Sequence, residues 1–259
     1  IQALNDNDLK RLGRLHTVEE AKNAFNIAKK YFDRVSFDLM YGRQHQTLKD
    51  WEKELLTAID MSVGHLSLYQ LTIEKHTPFG DLFAKGKLLG LPEDDTSVEF
   101  YNLTQNICNA NDLPAYEISN HAKRGHECQH NITYWKGIPF LGVGPGAHGR
   151  VDIRHKRYLT ESPSNPEVWL DQVQKERMNL FHCESLSNNE QAEEYIIMGL
   201  RLREGVNLSN YNKLAKTKIP KSIINELIND DLITLDNQIL TTTEYGKVLT
   251  NYVIRKLLC

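Results

Sequence analysis

A chain of 259 residues with 40 % hydrophobic and 25 % charged side chains can bury a core of its own and is neither disordered nor fibrous in composition. Thirty-one basic against 34 acidic residues leave a net charge of −3, which excludes a global positive field for nucleic acid or an anionic bilayer. No apolar run approaches the roughly 20 residues of a membrane-spanning helix, and the opening IQALNDNDLK carries no basic-then-apolar leader, so a cytoplasmic protein is expected. Cys108, Cys128, Cys183 and Cys259 lie far apart without a CxxC pair, against a disulfide framework or zinc knuckle. Ile1-Gln2-Ala3 reads as the tail of a strand that begins outside the sequence, so a fragment is expected.

Thr17-Val18-Glu19-Glu20 is a capping box, and Val18, Ala21, Ala24, Phe25 and Ala28 continue it as a buried helical stripe. Arg34 to Tyr41 is short, β-branched and aromatic and stops at Gly42, which predicts a strand with Asp38 near its end. A second capped helix starts at Thr47, and a second strand runs from about His65 to Ile73. Strand, helix, strand is the βαβ unit of α/β folds, in which reacting residues sit at the carboxyl ends of strands; Asp38, Tyr41, Tyr69 and Glu74 are candidates on that ground. A third helix is expected from Pro92–Asp95 to about Asn111.

From Ala115 to Arg150 the chain is rich in Gly, His, Asn and aromatics and reads as one long loop. After a helix at Pro166–Gln174 come helices at Asn189–Arg203 and Ile219–Asn229. A hairpin follows over Leu232–Leu240 with Asp-Asn at its turn, then one helix over Thr243–Leu257; the order resembles a winged helix. The domains expected are 1–112, 113–185 and 186–259. The helix at Lys218–Asp231 mixes both charges and has no arginine, so nucleic acid is not an expected partner; docking to protein is.

His121, His126, Cys128 and His130 form the densest cluster of metal-ligating side chains. If that piece is extended, alternate residues share a face, and His126, Cys128 and His130 converge on one metal or on haem iron; a hydrogen-bonded surface turn is the plainer alternative. Gly142-Val143-Gly144-Pro145-Gly146 matches neither a P-loop nor a dinucleotide fingerprint. It permits close backbone approach, with His148 just beyond, or is simply a tight turn. Asp38 suits a ribose diol or a structural salt bridge, and Arg14 with Gln2 at the same sheet end suits a ligand carboxylate; spacing leaves these open.

Leu12-Gly13-Arg14-Leu15-His16-Thr17, Phe37-Asp38-Leu39-Met40-Tyr41-Gly42, Tyr116-Glu117-Ile118-Ser119-Asn120, Glu127-Cys128-Gln129-His130-Asn131 with Tyr134-Trp135, Leu141 to His148 and Gly199 to Val206 occur in the order found in one family. Over nearly its whole length the chain resembles the radical S-adenosylmethionine proteins of the oxygen-independent coproporphyrinogen III oxidase-like group, particularly their haem-chaperone branch. The resemblance implies an α/β fold, the C-terminal part of a partial (β/α)6 TIM-type barrel followed by a small helical, winged-helix-like domain. It implies that Gln2 and Asp38 contact the ribose and Arg14 the carboxylate of S-adenosylmethionine. It also implies that His130 in His130-Asn131-Ile132-Thr133-Tyr134 meets haem, with Asn131 and Tyr134 and with Cys128 or His148 nearby. Implied partners are haem or a porphyrin and haem-accepting apoproteins, with a homodimer left open.

Two departures stand out. The family's three-cysteine motif for a 4Fe–4S cluster is not in this sequence, so the cluster is expected only in a complete protein and this chain alone is expected to be inactive in radical chemistry, with no catalytic residue assigned. Arg43-Gln44-His45 replaces the family's Leu-Pro-Gly, which relaxed constraint would explain and which puts S-adenosylmethionine binding in question. The alternatives to a haem carrier are the oxidase itself or an inactive split-gene fragment.

Overall fold

Two side chains that satisfy backbone donors start the first long helices where the sequence says. In the computed structural model, which describes residues 1–75, 77–175 and 182–258, Thr17 and Glu20 form the reciprocal cap of one helix and Thr47 and Asp50 that of another. Cys259 lies outside the described residues. The chain divides into two compact units, Ile1–Cys128 and Gln129–Cys259.

Unit 1 runs α1 (Asp6–Arg11), α2 (Val18–Tyr31), β1 (Asp38–Tyr41), α3 (Leu48–Met61), β2 (His65–Gln70), α4 (Pro78–Ala84), α5 (Asp94–Ala110) and β3 (Asn120–Ala122). β1 and β2 are parallel across the α3 crossover, as the βαβ reading requires, and β3 joins β2 antiparallel. The core lies between this sheet and its helices: Trp51 is fully buried, stacks on Tyr41 with ring centroids 5.2 Å apart, and donates its indole N–H to Thr104 Oγ1 at 2.8 Å. The first strand is shorter than expected, because bonding to β2 begins only where the Phe37 carbonyl accepts the Ser67 amide (3.2 Å). Asp38 therefore opens β1 instead of ending it, which corrects its placement at a carboxyl end. Tyr41, at that end, is buried against the helices, and burial pushes its hydroxyl pKa up.

Unit 2 runs α6 (Gln129–Trp135), β4 (His148–Ile153), β5 (Lys156–Glu161), α7 (Pro166–Gln174), β6 (His182–Ser185), α8 (Asn188–Gly199), β7 (Val206–Asn207), α9 (Leu208–Leu214), α10 (Lys221–Asn229), β8 (Ile233–Asp236), β9 (Ile239–Thr242), α11 (Glu244–Val248) and α12 (Thr250–Leu258). β4, β5 and β6 make one antiparallel sheet; β7, β9 and β8 make the wing, over a core that includes Ile196, Leu227, Ile233, Leu240 and Val253. Both hairpins turn on two left-handed residues, Arg154-His155 (φ 48° and 65°) and Asn237-Gln238 (φ 46° and 70°). The predicted turn was one residue early, and the predicted final helix is two: Thr243 caps α11, and the chain breaks at Leu249 before α12.

Among the described residues no sheet closes on itself, and the parallel pair flanked by helices is the architecture of part of a barrel. No described helix is long and apolar enough to cross a membrane.

Candidate functional site

Strand alternation gives the unit 1 sheet two unlike faces. Phe37, Leu39, Tyr41, Leu66 and Leu68 belong to the helix-packed core, while Asp38, Ser67 and Asn120 stand in one row across β1, β2 and β3 on the opposite face. Asn120 is 4 % exposed and its Oδ1 has no hydrogen-bond donor. Sequence reasoning passed over it as a motif residue without a role, because its burial and its row with Ser67 and Asp38 come from strand pairing. On the same face Ser36 Oγ lies 2.6 Å from His65 Nδ1, and His65 Nε2 lies 2.9 Å from the Tyr116 hydroxyl. Burial and then Arg34 lower the His65 pKa, against the opposing charges of Asp38 and Glu127.

The three S-adenosylmethionine candidates are partly assembled. Arg14 Nη2 donates to Gln2 Oε1 at 3.3 Å, and the Gln2 carbonyl accepts the Met40 amide at 2.9 Å, so both sit beside β1. Asp38 is two residues from Met40 on the same strand face but bonds neither of them; its charge acts on His65. An open groove of about 740 Å³ lies on the other, α2 side, lined by Ile1, Leu15, Phe25, Val35 and Phe37 among others, and none of the three candidates lines it. Taken singly, the exposed Arg14 guanidinium suits a ligand carboxylate, and the donorless Asn120 oxygen suits a hydroxyl or amine donor.

The Arg43-Gln44-His45 segment is held by its own hydrogen bonds. Arg43 is 3 % exposed; its guanidinium donates to Glu54 Oε2 at 2.5 Å, Asp8 Oδ2 at 3.1 Å and the Met40 carbonyl at 2.7 Å. Gln44 Nε2 donates to the Leu89 carbonyl at 2.9 Å, and the His45 amide to the Gly90 carbonyl at 2.6 Å.

The His/Cys cluster is broken up. His121 is 1 % exposed on the helix-packed side, with Nε2 3.3 Å from Gln105 Nε2, and burial pushes its pKa down to about 4. Cys128 ends unit 1 as a half-buried free thiol whose amide donates to the Tyr116 hydroxyl at 3.4 Å. His130 lies in helix α6, not in an extended piece, so the alternation that was to align His126, Cys128 and His130 does not exist. Among the described residues no group of three His, Cys, Asp or Glu side chains is placed to hold a metal ion.

In place of that cluster the structure shows a ladder of rings. His130 meets Tyr134 edge to face at 4.7 Å, one helical turn along α6, and Tyr134 meets Phe140 in the same manner at 4.4 Å. Phe140 is fixed to β4 by paired backbone bonds with Arg150 (2.7 and 2.9 Å). The His130 ring is exposed, and Asn131 follows it on α6. His148 opens β4 with Nε2 3.8 Å from Glu161 Oε1, and no hydrogen bond, ion pair or ring contact joins it to His130 among the described residues. Gly142 passes so close to the His148 backbone that no side chain fits, which gives the glycine loop its reason.

A family model described as the HemN C-terminal domain matches residues 186–249. The heme chaperone HemW of Lactococcus lactis is 32 % identical over 100 % of this chain and 67 % of its own length. The chain belongs to the HemN-like radical S-adenosylmethionine family, close to HemW. HemW of Bacillus subtilis is 31 % identical over 98 % of the chain and 66 % of its own length. A zebrafish relative, radical S-adenosyl methionine domain-containing protein 1, mitochondrial, is 30 % identical over 100 % and 60 %. The chain thus spans about three-fifths to two-thirds of these HemW-like relatives. The solved coproporphyrinogen III oxidase HemN of Escherichia coli, a radical SAM enzyme, has the same fold: TM-score 0.76 at 16 % identity, over 99 % of this chain and 62 % of that one.

Proposed function

We propose that the chain is the haem-holding and S-adenosylmethionine-contacting part of a HemW-like haem carrier, which delivers haem to apoproteins. The exposed His130 imidazole, backed by Tyr134 and Phe140, carries the reading: it offers a ring nitrogen beside an aromatic edge, the chemistry that suits a flat macrocycle with a central iron. Tyr134 orients the ring; Asn131 supplies an amide beside it; His148 is a further ligand candidate in the same unit. In unit 1 Arg14 takes the carboxylate of S-adenosylmethionine, and Gln2 and Asp38 its ribose. S-adenosylmethionine supplies radical chemistry only with a reduced iron–sulfur cluster. The described cysteines, Cys108 buried, Cys128 half-buried and Cys183 exposed, do not form the three-thiolate set it requires, so no radical step is assigned to these residues. Their free thiols support a cytoplasmic setting.

Haem titration followed at the Soret band tests this. A shifted, saturable band is expected for the wild type and its loss for His130→Ala; an unchanged band in the variant rejects the ligand assignment. The match of residues 186–249 to the HemN C-terminal domain leaves the oxidase itself as a second reading, which turnover of coproporphyrinogen III by the full-length protein with its cluster would support.

A further inference from the structure

The buried guanidinium of Arg43 touches two structures that carry the proposed ligand contacts. Through Glu54 it reaches the first: Glu54 Oε1 accepts the Leu4 amide at 2.6 Å, two residues after Gln2, while both Glu54 oxygens accept from Arg43 (3.2 and 2.5 Å). Through Asp8 it reaches the second: Asp8 lies in α1, and the turn that follows is closed by the Arg14 amide on the Leu9 carbonyl at 2.8 Å. Gln46 Nε2 adds a third donor to Glu54 at 3.3 Å. One charge therefore sets the spacing between the segment bearing Gln2 and the turn after α1 that bears Arg14, whose side chains meet at 3.3 Å. A carboxylate clamp depends on such spacing, because a bidentate guanidinium contact tolerates little displacement.

We infer that Arg43 is a positioning residue of the S-adenosylmethionine subsite, its ion pairs with Glu54 and Asp8 holding Gln2 and Arg14 in register for the ligand. This rests on the unit 1 assignment above. It gives a role to a position where the family's usual residue is apolar.

Isothermal titration of the full chain with S-adenosylhomocysteine tests it, thermal melting serving as the folding check. Arg43→Leu should weaken binding by about tenfold and Arg43→Lys by less, since an ammonium keeps the charge between the two carboxylates and loses only the planar fork of the guanidinium. Asp8→Asn, which frees only the α1 arm, should cost roughly threefold. In an Arg14→Ala background, Arg43→Leu should add less than about twofold, because it acts through Arg14. Folded Arg43→Leu that binds like wild type, or a loss just as large without Arg14, overturns the inference while leaving the subsite assignment standing. If Arg43→Leu does not fold, wild-type affinity in Asp8→Asn overturns it. No binding by the wild type removes the assignment and the inference together.

Discussion

Unit 1 and unit 2 treat their polar side chains in opposite ways. In unit 1 several are turned inward: Arg43 is 3 % exposed between two carboxylates, His121 is 1 % exposed against Gln105, and His65 sits between Ser36 and Tyr116. In unit 2 the histidines face out, with the side chains of His148 and His182 58 % and 64 % exposed and His130 also exposed, and Lys136 pairs with Glu204 at the surface. The difference teaches where to look for a ligand. A buried, hydrogen-bonded imidazole has no lone pair to offer outside the protein, whereas an exposed ring held from behind by another aromatic has one.

The sharpest way to break this comparison is to remove its most buried charge. Arg43→Leu strands Glu54 and Asp8, and it should destabilise unit 1 by about 3–5 kcal/mol in urea melts. A loss under 1 kcal/mol would mean the knot is solvated after all.

Next in size is acid. The His121 pKa is depressed to about 4 in the folded state, so as pH falls the unfolded chain takes up that proton first. The His121 contribution is fully present above the ordinary imidazole value of about 6.5 and disappears as pH falls toward 4, on the order of 3 kcal/mol in all. His65, also depressed, acts in the same sense; Glu117, raised chiefly by burial, acts in the opposite one. Urea midpoints between pH 7 and 4 should fall steeply for the wild type and more gently for His121→Gln.

Smaller effects belong to unit 2. Ser187→Ala removes the capping box of α8 and should cost about 1 kcal/mol. Lys136→Met, which breaks only an exposed ion pair, should change stability by less than about 1 kcal/mol. If it costs as much as Arg43→Leu, the contrast between the units is false.

What the sequence showed depended on how local the cause was. The caps at Thr17 and Thr47 and the βαβ unit were legible because both partners of each cap lie within three residues and the crossover follows from strand period. The β4–β5 hairpin was not, because its turn uses Arg154 and His155 where Gly or Asn would announce it and its strands alternate weakly. The Arg43 knot was invisible, since Asp8 is 35 residues away and Glu54 is 11. Asp38 was placed at the wrong end of its strand because the apolar run continues past the true start of the ladder. His130 was singled out by family resemblance; spacing alone assumed an extended backbone where the chain is helical.

The central claim is that His130 presents the nitrogen that binds haem iron. Adding free imidazole to haem-loaded His130→Ala tests it directly: the variant should lack the wild-type Soret band, and imidazole should restore it. A variant that already shows the wild-type band before imidazole is added would contradict the claim.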